Sequence, residues 1–200
     1  MSNTNTSTQS YENQQIIRLD GKSKFVEALS SGFDINKVVL NFVEYDDSRK
    51  AGDRIVNSVM IYMDFDKFRV FAQDMISGRF AKLAKDKKGA IYQDLTGTPA
   101  EKLKEYGRER KDGKAESRKF SIAPSSKGFF ITGESGPGEK TDTGLIKPAG
   151  KSEVRVSIPI DAEQAKALVL STLAAMNAYE AGKQAVKQIE KLLRDNKVIK

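Results

Sequence analysis

Val59-Met60-Ile61-Tyr62-Met63-Asp64-Phe65-Asp66, running into Lys67-Phe68-Arg69-Val70-Phe71-Ala72-Gln73-Asp74-Met75-Ile76, is the passage that decides the fold. Its first part alternates its side chains between two faces, as a strand with one buried face requires. Its second part places apolar residues at three-to-four spacing, the period of a helix. The pattern returns in Val154-Arg155-Val156-Ser157-Ile158-Pro159-Ile160-Asp161, which leads into Ala162 to Met176. Asp66 and Asp161 each stand where an N-cap carboxylate could accept the free N–H groups of a first helical turn. The expectation is an α+β chain of two related halves of antiparallel strands, each closed by a helix.

Working outward, Lys37 to Tyr45 reads as a strand and Arg54 to Met63 as its partner, joined by turn residues from Asp46 to Asp53. Ile16 to Leu19 reads as a short strand and Lys24 to Leu29 as one helical turn. The helix from Asp66 is expected to carry its stripe through Phe68, Phe71, Ala72, Met75, Ile76, Phe80 and Leu83. Ala90 to Leu95 reads as a strand, and Thr98-Pro99-Ala100-Glu101 as a capping box opening a short helix. Arg118 to Ala123 and Gly128 to Thr132 read as strands, followed by a Gly-rich loop over Gly133 to Gly144. Leu145 to Pro148 and a strand from Ser152 to Ile160 come next. Residues 1–15 are expected to be a disordered polar lead. Residues 16–178 are expected to form one domain of two pseudo-repeats, about 37–95 and 118–178, with a charged connector between them. Residues 179–200 read as a helical extension with Val186, Ile189 and Leu193 facing one way.

Composition narrows the function. The 200 residues contain 34 Lys and Arg against 27 Asp and Glu, a net charge of +7 that favours a polyanion as partner. Cysteine and histidine are both absent, which removes thiolate chemistry, the commonest general base and the commonest metal ligand. No run approaches the ~18 apolar residues needed to span a bilayer, and no secretory h-region opens the chain. These features favour a soluble cytoplasmic protein without a membrane partner.

Two enzymatic readings fail on their residues. Phe129 to Thr132 followed by Gly133-Glu134-Ser135-Gly136-Pro137-Gly138-Glu139-Lys140-Thr141 imitates a strand entering a phosphate-binding loop. The pattern needs Lys directly after its second Gly, and Glu139 intervenes where phosphate would sit. Glu44, Asp46 and Asp47 could in principle meet Asp64 and Asp66 around a cation, but carboxylates in turns are ordinarily solvated. No enzyme, no cofactor and no metal is therefore expected.

Nucleic-acid binding rests on basic residues interleaved with aromatics. Single-strand binders use cations along the backbone and flat rings for splayed bases. Arg49, Lys50 and Arg54 offer charge on the first hairpin, and Arg108, Arg110, Lys111, Lys114, Arg118 and Lys119 on the connector. Lys127, Lys140, Lys147, Lys151 and Arg155 add to this in the second half. Tyr45, Tyr62, Phe120, Phe129 and Phe130 are the candidate stacking platforms. The binding set expected is Arg49, Lys50, Arg54, Tyr62, Lys114, Arg118, Lys119, Phe120, Lys127, Phe129, Phe130, Lys147 and Arg155.

Two strand-rich repeats, each ending in a helix and carrying basic strands, resemble the Whirly-type single-stranded DNA-binding fold over about Lys37 to Tyr179. The resemblance implies curved sheets that present bases to the outside, with helices forming the core and building dimers or rings. The family's Lys-Gly-Lys-Ala signature is met only by Gly113-Lys114-Ala115, so no residue roles carry over. The architectural alternative is an OB barrel with appended helices. The function expected is single-stranded DNA binding with little sequence preference, RNA being the second candidate. Its setting would be replication, recombination or conjugative transfer of a mobile element such as a phage or plasmid, with self-association through the helices. The alternatives are a protein-binding accessory or inhibitor factor, or an oligomeric scaffold.

Overall fold

A computed structural model describes residues 14–195. The polar lead expected over residues 1–15 thus lies almost wholly outside the described residues, as does the end of the helical extension.

The architecture is α+β with two antiparallel sheets. The first runs in the order β1 (Gln15–Gly21), β2 (Lys24–Leu29), β3 (Lys37–Tyr45), β4 (Ile55–Asp64). Helices α1 (Phe65–Ile76) and α2 (Arg79–Asp86) follow. The second sheet holds β5 (Tyr92–Thr98), β6 (Ala115–Ser125), β7 (Gly128–Lys140), β8 (Ile146–Pro148) and β9 (Val154–Asp161), with α3 (Ala100–Glu105) inserted after β5. The last described element is α4 (Ala162–Asp195). Strand β5 pairs with β6, so the division between the halves falls before β5 and upstream of the charged connector.

Lys24 to Leu29 is a strand, not a helical turn. Val26 and Ala28 point into the core, while Glu27 on the other face is held by the Asn41 amide at 2.8 Å across β3. A period of two set between two neighbouring strands overrides a weak local helical preference.

The two strand-to-helix junctions are built differently. Asp161 is a true N-cap: its Oδ1 accepts the N–H groups of Glu163 (2.9 Å) and Gln164 (2.8 Å). The Asp161 N–H in turn donates to Gln164 Oε1 at 3.0 Å, completing a capping box. At α1 the cap position is Asp64, not Asp66, and no side chain caps it. Asp64 instead takes the Lys37 ammonium at 2.5 Å, and Asp66 pairs with Arg69. Thr98 likewise makes no cap for α3, whose N-cap position is Pro99. The apolar stripe expected in one helix is divided by Gly78 in the left-handed region (φ 75°), yet Phe68, Phe71, Met75 and Phe80 are all buried.

Gly133 to Lys140 is the second part of β7 rather than a loop. Its glycines mark close approaches, which is the usual meaning of glycine inside a strand. A Cβ on Gly133 would meet the Phe42 ring at 2.6 Å, and one on Gly138 would meet Ile146 at 2.6 Å. Gly97 on β5 is equally pressed by Ile146, so the second sheet curls until β8 lies near β5. Pro137 sits where β7 changes partner from β9 to β8.

One core joins all layers. Phe120 of β6 lies 6.1 Å from Phe42, 5.4 Å from Phe71 and 5.9 Å from Tyr92, ring centre to ring centre. These separations suit tilted and edge-on aromatic packing. Helix α4 lays Ala165, Leu168, Val169 and Met176 against this core, and Arg69 ties α1 to it through Glu180 at 2.5 Å.

Gly133→Ala should lower stability by about 1–3 kcal/mol in urea denaturation, because the Phe42 ring has nowhere to retreat. Gly89→Ala, whose Cβ meets nothing within 4 Å, should stay within about 0.5 kcal/mol of the parent. Burial, aided by the charges of Asp94 and Asp74, pushes the Tyr92 phenol up from 10.0 to about 12. The folded state therefore holds that proton more tightly than the unfolded chain. Stability present below pH 10 should decline between about pH 10 and pH 12. Thermal melts of Tyr92→Phe across that window should fall less steeply than those of the parent.

Candidate nucleic-acid interface

Strand alternation divides the expected binding residues between different environments. Phe120 and Phe129 face inward and are 0% and 4% exposed, so their rings belong to the core and cannot stack on a base. Phe130, one residue on, points to the outer face of the second sheet and is 42% exposed. Adjacent strand residues must face opposite ways, and the larger apolar demand of the core takes Phe129.

Around Phe130 the outer face is polar. Lys119 on β6, Glu134 on β7 and Arg155 on β9 stand directly opposite one another across three strands. Glu134 receives Lys119 Nζ at 2.5 Å and Arg155 Nε at 3.2 Å, with Ser152 Oγ at 3.3 Å. Thr132 and Ser157 share a hydrogen bond of 2.8 Å on the same face. Lys119, Phe130, Thr132, Glu134, Arg155 and Ser157 help to line a shallow groove of about 550 Å³ whose two cations share a single carboxylate.

Other expected cations are also matched by acids. Arg49 pairs with Asp46 at 3.3 Å, Arg54 approaches Asp47 at 4.0 Å, and Lys147 meets Glu139 at 3.1 Å. Exposed pairs of this kind contribute ~0–1 kcal/mol each. Asp46 is held below the usual carboxylate range, chiefly by the Ser48 hydroxyl and N–H. Glu44 is lowered mainly by the Asn57 amide. Both are among the carboxylates weighed above as cation ligands, and each accepts side-chain hydrogen bonds, from Ser48 and from Asn57. Lys50, Lys114 and Lys127 make no ion pair among the described residues; all three lie at turns. Arg110 is clamped by Asp112 (3.0 Å) and Glu153 (2.8 Å), which makes it a structural tie for the connector.

Tyr62 and Arg118 meet at a second depression, a cleft of about 540 Å³ between β4 of the first sheet and β5 with α3 of the second. Five cations line it, Lys37, Lys67, Lys102, Arg108 and Arg118, against one carboxylate, Asp64. Two tyrosines, Tyr62 and Tyr106, share the lining, and Tyr106 is 64% exposed. Lys37, Lys67 and Arg118 have carboxylate partners in Asp64, Asp94 and Glu116, whereas Lys102 and Arg108 have none among the described residues. Arg118 is fixed by Glu116 and by the Thr98 hydroxyl, which accepts its Nη1 at 2.8 Å. Burial holds the Arg118 guanidinium below its ordinary pKa; the nearby charge of Arg108 acts in the same direction, against the pull of Glu116. The Thr96 hydroxyl, also in the lining, is buried without a hydrogen-bond partner.

Sequence reasoning named Tyr62, Arg108 and Arg118 as candidates but passed over Lys37, Lys67, Lys102 and Tyr106. Those four lie on elements whose convergence depends on how the sheets pack, and no local pattern signals it. No known protein family matches the chain, and no curated protein sequence matches it.

Glu134→Gln should destabilise the fold by about 1–2 kcal/mol in urea, since the amide oxygen can still accept but no longer carries the charge that offsets Lys119 and Arg155. The larger loss seen for fully buried pairs is not expected, because Arg155 keeps two-thirds of its side chain in solvent.

Proposed function

We propose that the chain binds single-stranded nucleic acid, DNA in the first instance, in the cleft between its two sheets and without strong sequence preference. The observation that carries this reading is the gathering of five cations and two tyrosines against one carboxylate in a single depression. Lys102 and Arg108 supply mobile charge to phosphates, while Arg118, held by Glu116 and Thr98, supplies a fixed guanidinium. A phosphate between Arg108 and Arg118 relieves the repulsion between two neighbouring cations. Tyr62 and Tyr106 offer rings on which unpaired bases stack, a contact every base can make and so one without sequence preference. The succession of two sheets, each followed by a helix, supports the likeness to Whirly-type single-strand binders. Replication, recombination or transfer of a mobile element is the setting such an activity serves. The exposure of Phe130 beside Lys119 and Arg155 favours a second placement of the strand, on the outer face of the second sheet.

Fluorescence anisotropy of labelled poly-dT beside a duplex of equal length, at several salt concentrations, separates these readings. The expected result is salt-sensitive binding that prefers the single strand. Arg108→Gln and Lys102→Gln should each reduce the slope of log affinity on log salt by about 0.7. Tyr106→Ala should weaken binding by about 5- to 100-fold, with Phe130→Ala unchanged. The reverse pattern, Phe130→Ala weak and Tyr106→Ala unchanged, moves the strand to the outer face. Equal weak binding to single strand and duplex, lost at physiological salt, sinks the proposal altogether.

A further inference from the structure

Helix α4 is 34 residues long, and only its first part rests on the body. Its last docking point is the pair Tyr179–Glu180: the Tyr179 hydroxyl donates to Asp34 at 2.9 Å, its ring packs edge-on to Phe33 at 5.4 Å, and Glu180 takes the Arg69 guanidinium. Beyond it, residues 181–192 are all exposed. At 1.5 Å per residue, residues 182–195 project about 20 Å past the body.

This overhang is not evenly polar. Gly182, Val186, Ile189 and Leu193 continue the stripe of the docked part at spacings of four, three and four, the signature of a helix seam that packs on another helix. Val186 is 54% exposed, Ile189 55% and Leu192, beside the stripe, 60%. A solvated helix has no reason to align such side chains, and an isolated two-turn apolar ribbon is not stabilised by water. Gly182 leaves a notch in the ribbon, open at its Cβ position, where an incoming side chain can seat.

The two flanks of the ribbon differ. One flank carries Lys183 and Glu190, opposite charges two turns apart; the other carries Ala185 and Leu192. In an antiparallel pair of identical helices, like flanks meet. Lys183 of each copy then faces Glu190 of the other, twice over, and the apolar flanks close together. In a parallel pair, the charged flank of each copy would cover the apolar flank of the other, leaving both charges without partners. Charge complementarity therefore selects a second copy of this chain, in antiparallel orientation, as the occupant. A self-complementary patch of this kind closes as a two-fold dimer rather than a filament.

We propose that the α4 overhang, residues 182–195, pairs with the same segment of a second copy in an antiparallel two-helix seam, making the protein a dimer. The seam uses none of the cleft residues, so the assembly carries two clefts that remain open.

Sedimentation velocity of the full chain, without oligonucleotide, tests this. A dimer at tens of micromolar is expected. Val186→Glu with Ile189→Glu should weaken association by about 100-fold or more, while the thermal transition of the body stays in place. Lys183→Glu alone and Glu190→Lys alone should each weaken the dimer, and the doubly exchanged protein should regain parental association. A monomeric parent at 100 µM overturns the proposal, whether or not the helix then binds anionic lipid vesicles. So does a dimer indifferent to Val186→Glu with Ile189→Glu. Restored monomer–dimer balance absent from the double exchange overturns the antiparallel pairing.

Discussion

The Phe42 ring seated on the bare backbone of Gly133 is the contact on which the two sheets depend. Phe42 comes from the middle of β3, and Gly133 from the middle of β7. With no Cβ between them, the second sheet can approach until Phe120 also reaches Phe42. That approach brings Phe71, Phe80 and Tyr92 into one aromatic cluster, so α1, α2 and β5 all take their positions from it. It also sets the distance between β4 and β5, and with that the width of the cleft.

Charge is distributed by the same geometry. A net charge of +7 says nothing about where cations are free, and most of those on strands are opposed by acids at register positions. The outer face of the second sheet shows the pattern in its simplest form, with one buried carboxylate holding two cations from neighbouring strands. Between the sheets the balance differs, because α3 and the segment after it bring Lys102 and Arg108, which make no ion pair among the described residues. Two cations without ion pairs thus stand in the cleft where elements from different halves meet.

The α+β class and the two strand-to-helix junctions were legible because they are local: alternation over Val59 to Met63 and Val154 to Ile160, then a change of period. The exact span of β3 could be read for the same reason. Misreadings came where distant groups decide. Lys24 to Leu29 becomes a strand because β1 and β3 flank it, and Gly133 to Gly138 stays in a strand because Phe42 and Ile146 occupy the space that side chains would need. A glycine run carries the same letters in both cases. Phe129 and Phe130 are indistinguishable by sequence, and only the direction of the core separates the buried ring from the exposed one. Of the cleft, Tyr62, Arg108 and Arg118 could be suspected from residue type, while their convergence with Lys37, Lys67 and Tyr106 is a property of packing alone.

Helix α4 also closes a circuit in the chain. It is the last described element, yet it packs against β1, the first, and reaches Asp34 through Tyr179. During synthesis on a ribosome, the first sheet and α1 emerge long before α4 is made. The apolar face of β1, with Leu19 among its residues, then has no permanent cover. The first half then waits in a partly open state, exposed to wrong partners, until α4 arrives. Completion of the first sheet therefore waits on α4, and any truncation that removes α4 leaves that sheet unfinished rather than merely shorter.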